Sequence, residues 1–179
     1  LGEVARHGDR LAAGYKPGRG QQPLWDFPAD SLARREVAAF LLSESLGWDL
    51  VPPTVLGDGP YGPGSLQQFI DHDPRRHYFT FSPAQRARLR PVALLDLLVN
   101  NADRKGSHVL LQKGTRRLFA IDHGLCFHAD DKLRTVIWDF AGEALPPHLL
   151  ADLARLPPLL AGALGQALAP LLSPPEIAA

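Results

Sequence analysis

Residues at four places along this 179-residue chain can do chemistry on a phosphate ester. Lys16 closes an apolar stretch and is followed by Pro17, so it can offer an ammonium at a strand end. Glu36 follows twenty residues later, early in an amphipathic stretch, and is the candidate carboxylate partner for that lysine. The run Asn100-Asn101-Ala102-Asp103-Arg104-Lys105-Gly106-Ser107-His108 is a dense polar loop between an apolar helix and an apolar strand. Within it Asp103 can orient or deprotonate a hydroxyl, Arg104 or Lys105 can neutralise charge, and His108 can ligate a metal. Ile121-Asp122-His123-Gly124 places a second aspartate at a sharp bend after a strand, where it suits a metal ion. Phosphoryl transfer needs these parts: a cation on the phosphates, a metal site and a group that positions the attacking oxygen.

The elements that position them follow from periodicity and turn chemistry. Residues 1–16 read as two strands around His7-Gly8-Asp9, and Pro17 to Asp30 as a loop. A helix capped by Asp30 or Ser31 carries Leu32, Ala33, Val37, Phe40, Leu41 and Leu42 and stops near Gly47. Leu50 to Leu56 is extended, Gly57 to Gly64 a turn, and Ser65 to Ile70 a strand. Pro83 to Asn100 reads as one helix with Leu89, Val92, Leu95, Leu98 and Val99 on one side. Val109–Leu111 and Leu118–Ile121 form a hairpin, which brings Asp103 and Asp122 to one edge. From Pro146 the chain is helical, with Pro157, Pro158 and Pro170 interrupting its apolar run. Trp48, Trp138 and Phe140 read as core aromatics.

Composition sets limits. A formal net charge of zero gives no broad phosphate-backbone footprint, so nucleic acid is not an expected partner. The single cysteine, Cys126, excludes an internal disulfide and fits a cytoplasmic location. The scattered pairs of His and Asp around His72, His108, His123 and His128 match no established zinc spacing.

Taken in order, Asn-x-Asp-Arg, an apolar hairpin and Ile-Asp-x-Gly-Leu-x-Phe resemble the catalytic and metal-binding motifs of the type II phosphatidylinositol 4-kinases and of small bacterial phosphatidylinositol 3-/4-kinase-like proteins. Tyr15-Lys16-Pro17, Arg35-Glu36-Val37-Ala38-Ala39-Phe40-Leu41-Leu42, Val51-Pro52-Pro53-Thr54 and Gly64-Ser65-Leu66-Gln67-Gln68-Phe69-Ile70 extend the likeness over residues 11 to 142. The resemblance implies an α+β, bilobal, protein-kinase-like fold whose first strand and phosphate-covering loop precede the chain. Residues 1–72 would form the N-lobe and 73–179 a helical C-lobe.

It further implies ATP with Mg or Mn. Asp103 matches the catalytic aspartate, and Asp122 the metal ligand. His108 stands where the family usually has asparagine, and an imidazole suits manganese or zinc better than magnesium. Lys16 and Glu36 match the phosphate-binding pair, and Gln68, Phe69 and Ile70 the adenine-binding hinge. The expected activity is transfer of phosphate to a protein or small-molecule hydroxyl. The alternatives are a nucleotide-binding pseudokinase and an AMP-transferase. Gly18 to Ser31 lacks the cysteine-rich membrane insertion of the lipid kinases, so a lipid acceptor is not favoured, and Trp25 and Phe27 are expected to pack on the protein.

Overall fold

The computed structural model describes residues 2–6, 9–18, 26–28 and 31–179. An antiparallel sheet of four strands, β1 (Gly2–Arg6), β2 (Asp9–Pro17), β3 (Thr54–Gly59) and β4 (Gly62–Gln68), runs in the order β1-β2-β4-β3. Lys16 on β2 lies opposite Ser65 on β4. The β3–β4 turn is tighter than the glycines suggest, because both strands run into the stretch that reads as a long turn. Those glycines clear space instead. A side chain at Gly59 or Gly64 would collide with the Tyr15 ring, and one at Gly64 would also lie 2.3 Å from the Lys16 carbonyl oxygen. The β2–β4 pairing beside Lys16 therefore depends on that glycine.

Helix α1 (Leu32–Ser45) packs against β3 and β4. Its start differs from expectation. Ser31 occupies the cap position but its side chain caps no backbone N–H; its Oγ accepts from Arg35 Nε at 3.1 Å. Its end is as expected: Gly47, at φ 72°, lets its N–H reach Glu44 O and that of Trp48 reach Ser43 O, a Schellman closure.

The expected helix from Pro83 to Asn100 is two helices, α2 (Pro83–Ala87) and α3 (Arg90–Leu98). Pro91 is the reason: it has no N–H for the Ala87 carbonyl and its ring crowds that group. Leu89, Val92, Leu95 and Val99 nevertheless keep one side and are fully buried. The hairpin forms as read, from β5 (Val109–Leu111) and β6 (Leu118–Ala120). Helices α4 (Pro147–Ala161), α5 (Ala163–Leu168) and α6 (Pro174–Ala178) complete the chain. Helix α4 runs through Pro157 and Pro158 and stops at Gly162. Both prolines are exposed, so water can satisfy the carbonyls they orphan. No helix among the described residues is long and apolar enough to cross a membrane.

One main apolar cluster joins α1, α3, the hairpin and α5. A smaller one sets Ile70 against Leu110 and Phe119. The segment after β4 is thereby fixed to the hairpin, with Lys113 N–H bonded to Asp71 O and Lys113 Nζ 2.8 Å from the Asp71 carboxylate. Of the three aromatics expected in the core, Trp48 and Phe140 are partly buried against it, whereas Trp138 is 59% exposed. Phe27 is buried beneath the Arg35 guanidinium, 4.8 Å from its ring centroid, and edge-on to His128. Trp25 lies outside the described residues.

Candidate active site

Lys16 is the penultimate residue of strand β2, and its ammonium reaches two carboxylates from distant parts of the chain. Nζ lies 2.5 Å from Glu36 Oε1 and 2.8 Å from Asp122 Oδ1. Glu36 is buried because it faces inward from α1 among Ala33, Val37 and Ala39. Its second oxygen accepts the backbone N–H of His123 at 3.1 Å. A buried carboxylate is thus fully occupied by a lysine on one side and the Asp122–Gly124 turn on the other. Burial disfavours the Lys16 charge, yet Glu36 and Asp122 outweigh it and raise the ammonium above its ordinary range. Burial likewise opposes the Asp122 charge, and Lys16 reverses that and holds the carboxyl below its usual range.

Asp122 sits at φ 64°, a left-handed conformation that aspartate tolerates better than most residues. That bend turns the chain off β6 and aims the carboxylate at both Lys16 and His108, whose Nε2 is 3.1 Å from Asp122 Oδ2. His108 closes a short 3₁₀ turn, Gly106–His108, at the entry to β5. Burial lowers its pKa despite the opposing pull of Asp122, which favours the neutral ring. Its Nδ1 accepts the Lys105 N–H at 3.4 Å, which leaves Nε2–H to donate to Asp122. The hairpin therefore brings the two predicted metal residues side by side.

Asp103 is held by its own N–H, which donates to Asn101 Oδ1 at 2.9 Å, and its carboxylate pairs with exposed Lys105 at 2.8 Å. That pair is solvent-exposed and easily exchanged. Lys105 can leave Asp103 for an incoming phosphate.

Of the two cations read as able to neutralise charge, Lys105 is exposed and Arg104 is not. It is buried and serves the scaffold. Its Nε and Nη2 clamp Asp96 on α3 at 2.8–3.0 Å, and its Nη1 donates to the Ile121 carbonyl at 2.7 Å. Asn101 and Thr135 add two more donors to Asp96. One guanidinium thereby ties the Asp103 loop to the residue before Asp122. Its Nη2 also lies 2.8 Å from His123 Nε2. Arginine has only donors, so Nε2 accepts and the proton sits on Nδ1. Asp96 and Thr135 escaped the sequence reading, and His123 figured there only among the scattered His and Asp pairs. The available signal was a carboxylate inside the apolar α3 stripe, which requires a buried cation.

The hinge residues are placed less simply. Gln68 N–H is committed to Pro53 O and Phe69 N–H to Ala12 O, so neither is available to adenine. Ile70 is buried, and Phe69 is 40% exposed.

Histidine burial has a consequence for stability. His123 titrates well below its ordinary value, first because it is buried and then because Arg104 and Lys16 are near; His108 is lowered too. Below pH ~6.5 the unfolded chain takes up protons that these native rings refuse, so stability falls as pH falls. The urea midpoint is expected to drop from pH 7 to pH 5, and His123→Gln, which keeps an acceptor for Arg104, to flatten that slope. Equal slopes in both proteins would remove His123 as the cause.

Fitness for a metal can be judged on donors. Among the described residues no group of three or more His, Cys, Asp or Glu is gathered to hold an ion. A nucleotide-bound magnesium or manganese does not need one, because phosphates and water complete its shell around one or two protein donors. The Asp122 carboxylate fits that role. His108 Nε2 fits a second donor position once its proton moves to Nδ1, which gives up both the hydrogen bond to Asp122 and the long Lys105 contact.

A lysine–glutamate pair from sheet and helix, an aspartate after a hairpin and a second aspartate in the loop before it form a kinase-type arrangement. Comparison with known proteins agrees. The family of phosphatidylinositol 3- and 4-kinases matches residues 53–156, and the chain belongs to that family. Protein Rv2133c of Mycobacterium tuberculosis is 38% identical over 200 residues, covering 92% of this chain and 72% of its own length. Phosphatidylinositol 4-kinase gamma 4 of Arabidopsis thaliana is 28% identical over 81% of this chain, and gamma 5 is 30% identical over 70%. The alignments span only 28% and 25% of those plant kinases.

Proposed function

We propose that the chain transfers the γ-phosphoryl group of ATP to a hydroxyl on a protein or small molecule. The observation that carries this reading is the Lys16 ammonium fixed between Glu36 and Asp122, residues that only the fold brings together. Lys16 contacts the phosphates, and Glu36 holds it in place. Asp103 orients the acceptor hydroxyl and takes its proton as the oxygen bonds to the γ-phosphorus and the bridging oxygen departs with ADP. Asp122 with His108 would hold magnesium or manganese, which neutralises phosphate charge when bound. Residues 1–72 act as the N-lobe and 73–179 as the C-lobe. Adenine lies against Gln68, Phe69 and Ile70, read through ring surface and carbonyls, because the N–H groups of 68 and 69 are spent. The preference for a non-lipid acceptor rests on the cysteine-free stretch Gly18 to Ser31, and a cytoplasmic location goes with it.

Lys16→Met tests the reading. Removing one preorganised cation from a transferring phosphoryl group is expected to lower kcat/KM about 10²–10³-fold. Calorimetry should show weaker ATP binding while the melting curve stays cooperative. Unchanged affinity and turnover would refute the role of Lys16.

A further inference from the structure

An arginine is almost never fully buried unless its charge is matched. Arg35, the residue before Glu36 on α1, is buried. Its guanidinium lies over the Phe27 ring and all three of its nitrogens are committed. Nε donates to Ser31 Oγ, Nη1 donates to the Cys126 carbonyl, and Nη2 pairs with Glu176 Oε1 on α6. Of these partners only Glu176 carries charge.

Glu176 is held ready for that contact. Its Oε2 accepts from the Ser173 N–H at 2.8 Å and from Ser173 Oγ at 2.7 Å, the capping box that starts α6. Both carboxylate oxygens are therefore occupied. Burial opposes the Glu176 charge, yet Ser173 and Arg35 outweigh it and hold the carboxyl below its usual range. The rest of α6 holds lightly: none of its residues is buried, and Ile177 packs only partly against the main apolar cluster.

Arg35 and Glu36 grip the same loop at two points. Glu36 Oε2 accepts the His123 N–H, and Arg35 Nη1 donates to the Cys126 carbonyl. Neighbouring residues of α1 thus hold both ends of the segment 123–126, one as acceptor and one as donor. Lys16 depends on that grip, because its two carboxylates are Glu36 on α1 and Asp122 at the start of the loop. Neutralising Glu176 would leave Arg35 buried without its counter-charge, a costly state that is relieved when the guanidinium moves toward water. The bond to Cys126 is lost with that movement, and one of the two points that join α1 to the loop goes with it.

We propose that Glu176 is a positioning residue for phosphoryl transfer: through Arg35 it holds α1 and the 122–126 loop together and so fixes the Lys16 ammonium between Glu36 and Asp122. Helix α6 acts as a clamp on elements far from it in sequence. The effect on turnover rests on the kinase reading; the effect on the loop stands without it.

The test compares the whole chain with Glu176→Gln, which keeps the size of the side chain and removes its charge. Amide exchange is followed by NMR at His123, whose N–H reports the bond to Glu36. It is expected to speed up about tenfold, the worth of a hydrogen bond between charged groups. The core amides of Ala93 and Ala120, bonded to Leu89 O and Leu50 O, should keep their rates. With ATP, kcat/KM should fall about tenfold. In a Lys16→Met background the same substitution should cost little more, since the ammonium it positions is gone. Ser173→Ala, at an exposed position, loosens Glu176 without removing its charge and should give the same pattern at about threefold; it decides the matter if Glu176→Gln does not fold. Unchanged exchange at His123 overturns the proposal. So does acceleration shared by Ala93 and Ala120, which marks a role in stability alone, and so does an equal loss of turnover with and without Lys16. If the chain transfers no phosphate at all, the kinase reading fails, and exchange at His123 still decides the role of Glu176.

Discussion

Asp103→Asn is expected to cut turnover by about 10²–10⁴-fold, the range for removing a positioned general base, while leaving ATP affinity close to that of the unaltered protein. The asymmetry follows from placement. Asp103 is joined to Lys105 and Asn101 and has no bond to Lys16 or Glu36 among those described. Asparagine keeps the size and the N–H contact to Asn101 but cannot take a proton. Asp122→Asn should behave differently. It removes the carboxylate shared by Lys16 and His108, so binding and turnover should fall together. Steady-state kinetics paired with calorimetry separates the two patterns. Equal loss of binding in both variants would contradict the division of labour.

The second large effect concerns the scaffold. Asp96→Asn keeps the shape of the side chain but leaves the Arg104 guanidinium buried without its counter-charge. Breaking such a pair from one side costs about 3–5 kcal/mol, and urea unfolding should show it. The paired replacement Asp96→Leu with Arg104→Met removes both charges and is expected to recover part of that stability. It should not recover activity, since the link from Arg104 to the Ile121 carbonyl disappears and the Asp103 loop is no longer tied to the Asp122 turn. Recovery of both stability and turnover would show that the pair only fills space.

Residues at the ends of apolar elements were legible in the sequence. Lys16, Glu36, Asp103, His108 and Asp122 stand where an apolar period stops or faces inward; the β5–β6 hairpin sets His108 beside Asp122, and tertiary packing brings Lys16, from the other sheet, to Asp122. What escaped depends on tertiary contact. Arg104 and Lys105 are adjacent and alike in charge, yet one is sealed against Asp96 and the other lies in solvent, a difference set by α3 and not by local sequence. Hydrogen-bond commitments were equally hidden: nothing in Gln68-Phe69 reveals that both N–H groups are spent on Pro53 and Ala12. The division at Pro91 was readable from the missing N–H alone. The continuation of α4 through Pro157 and Pro158 was not, because it turns on which side of the helix faces water.

Phosphoryl transfer through Lys16, Glu36, Asp103 and Asp122 is read by incubating the protein with ATP labelled at either the α- or the γ-phosphate, with magnesium or manganese and a cell extract as acceptor source, beside Asp103→Asn. Label is expected on acceptors from γ-labelled ATP only, and is expected to be lost in Asp103→Asn. Label from α-labelled ATP, or ATP binding with no transfer from either, would rule out phosphoryl transfer by these residues.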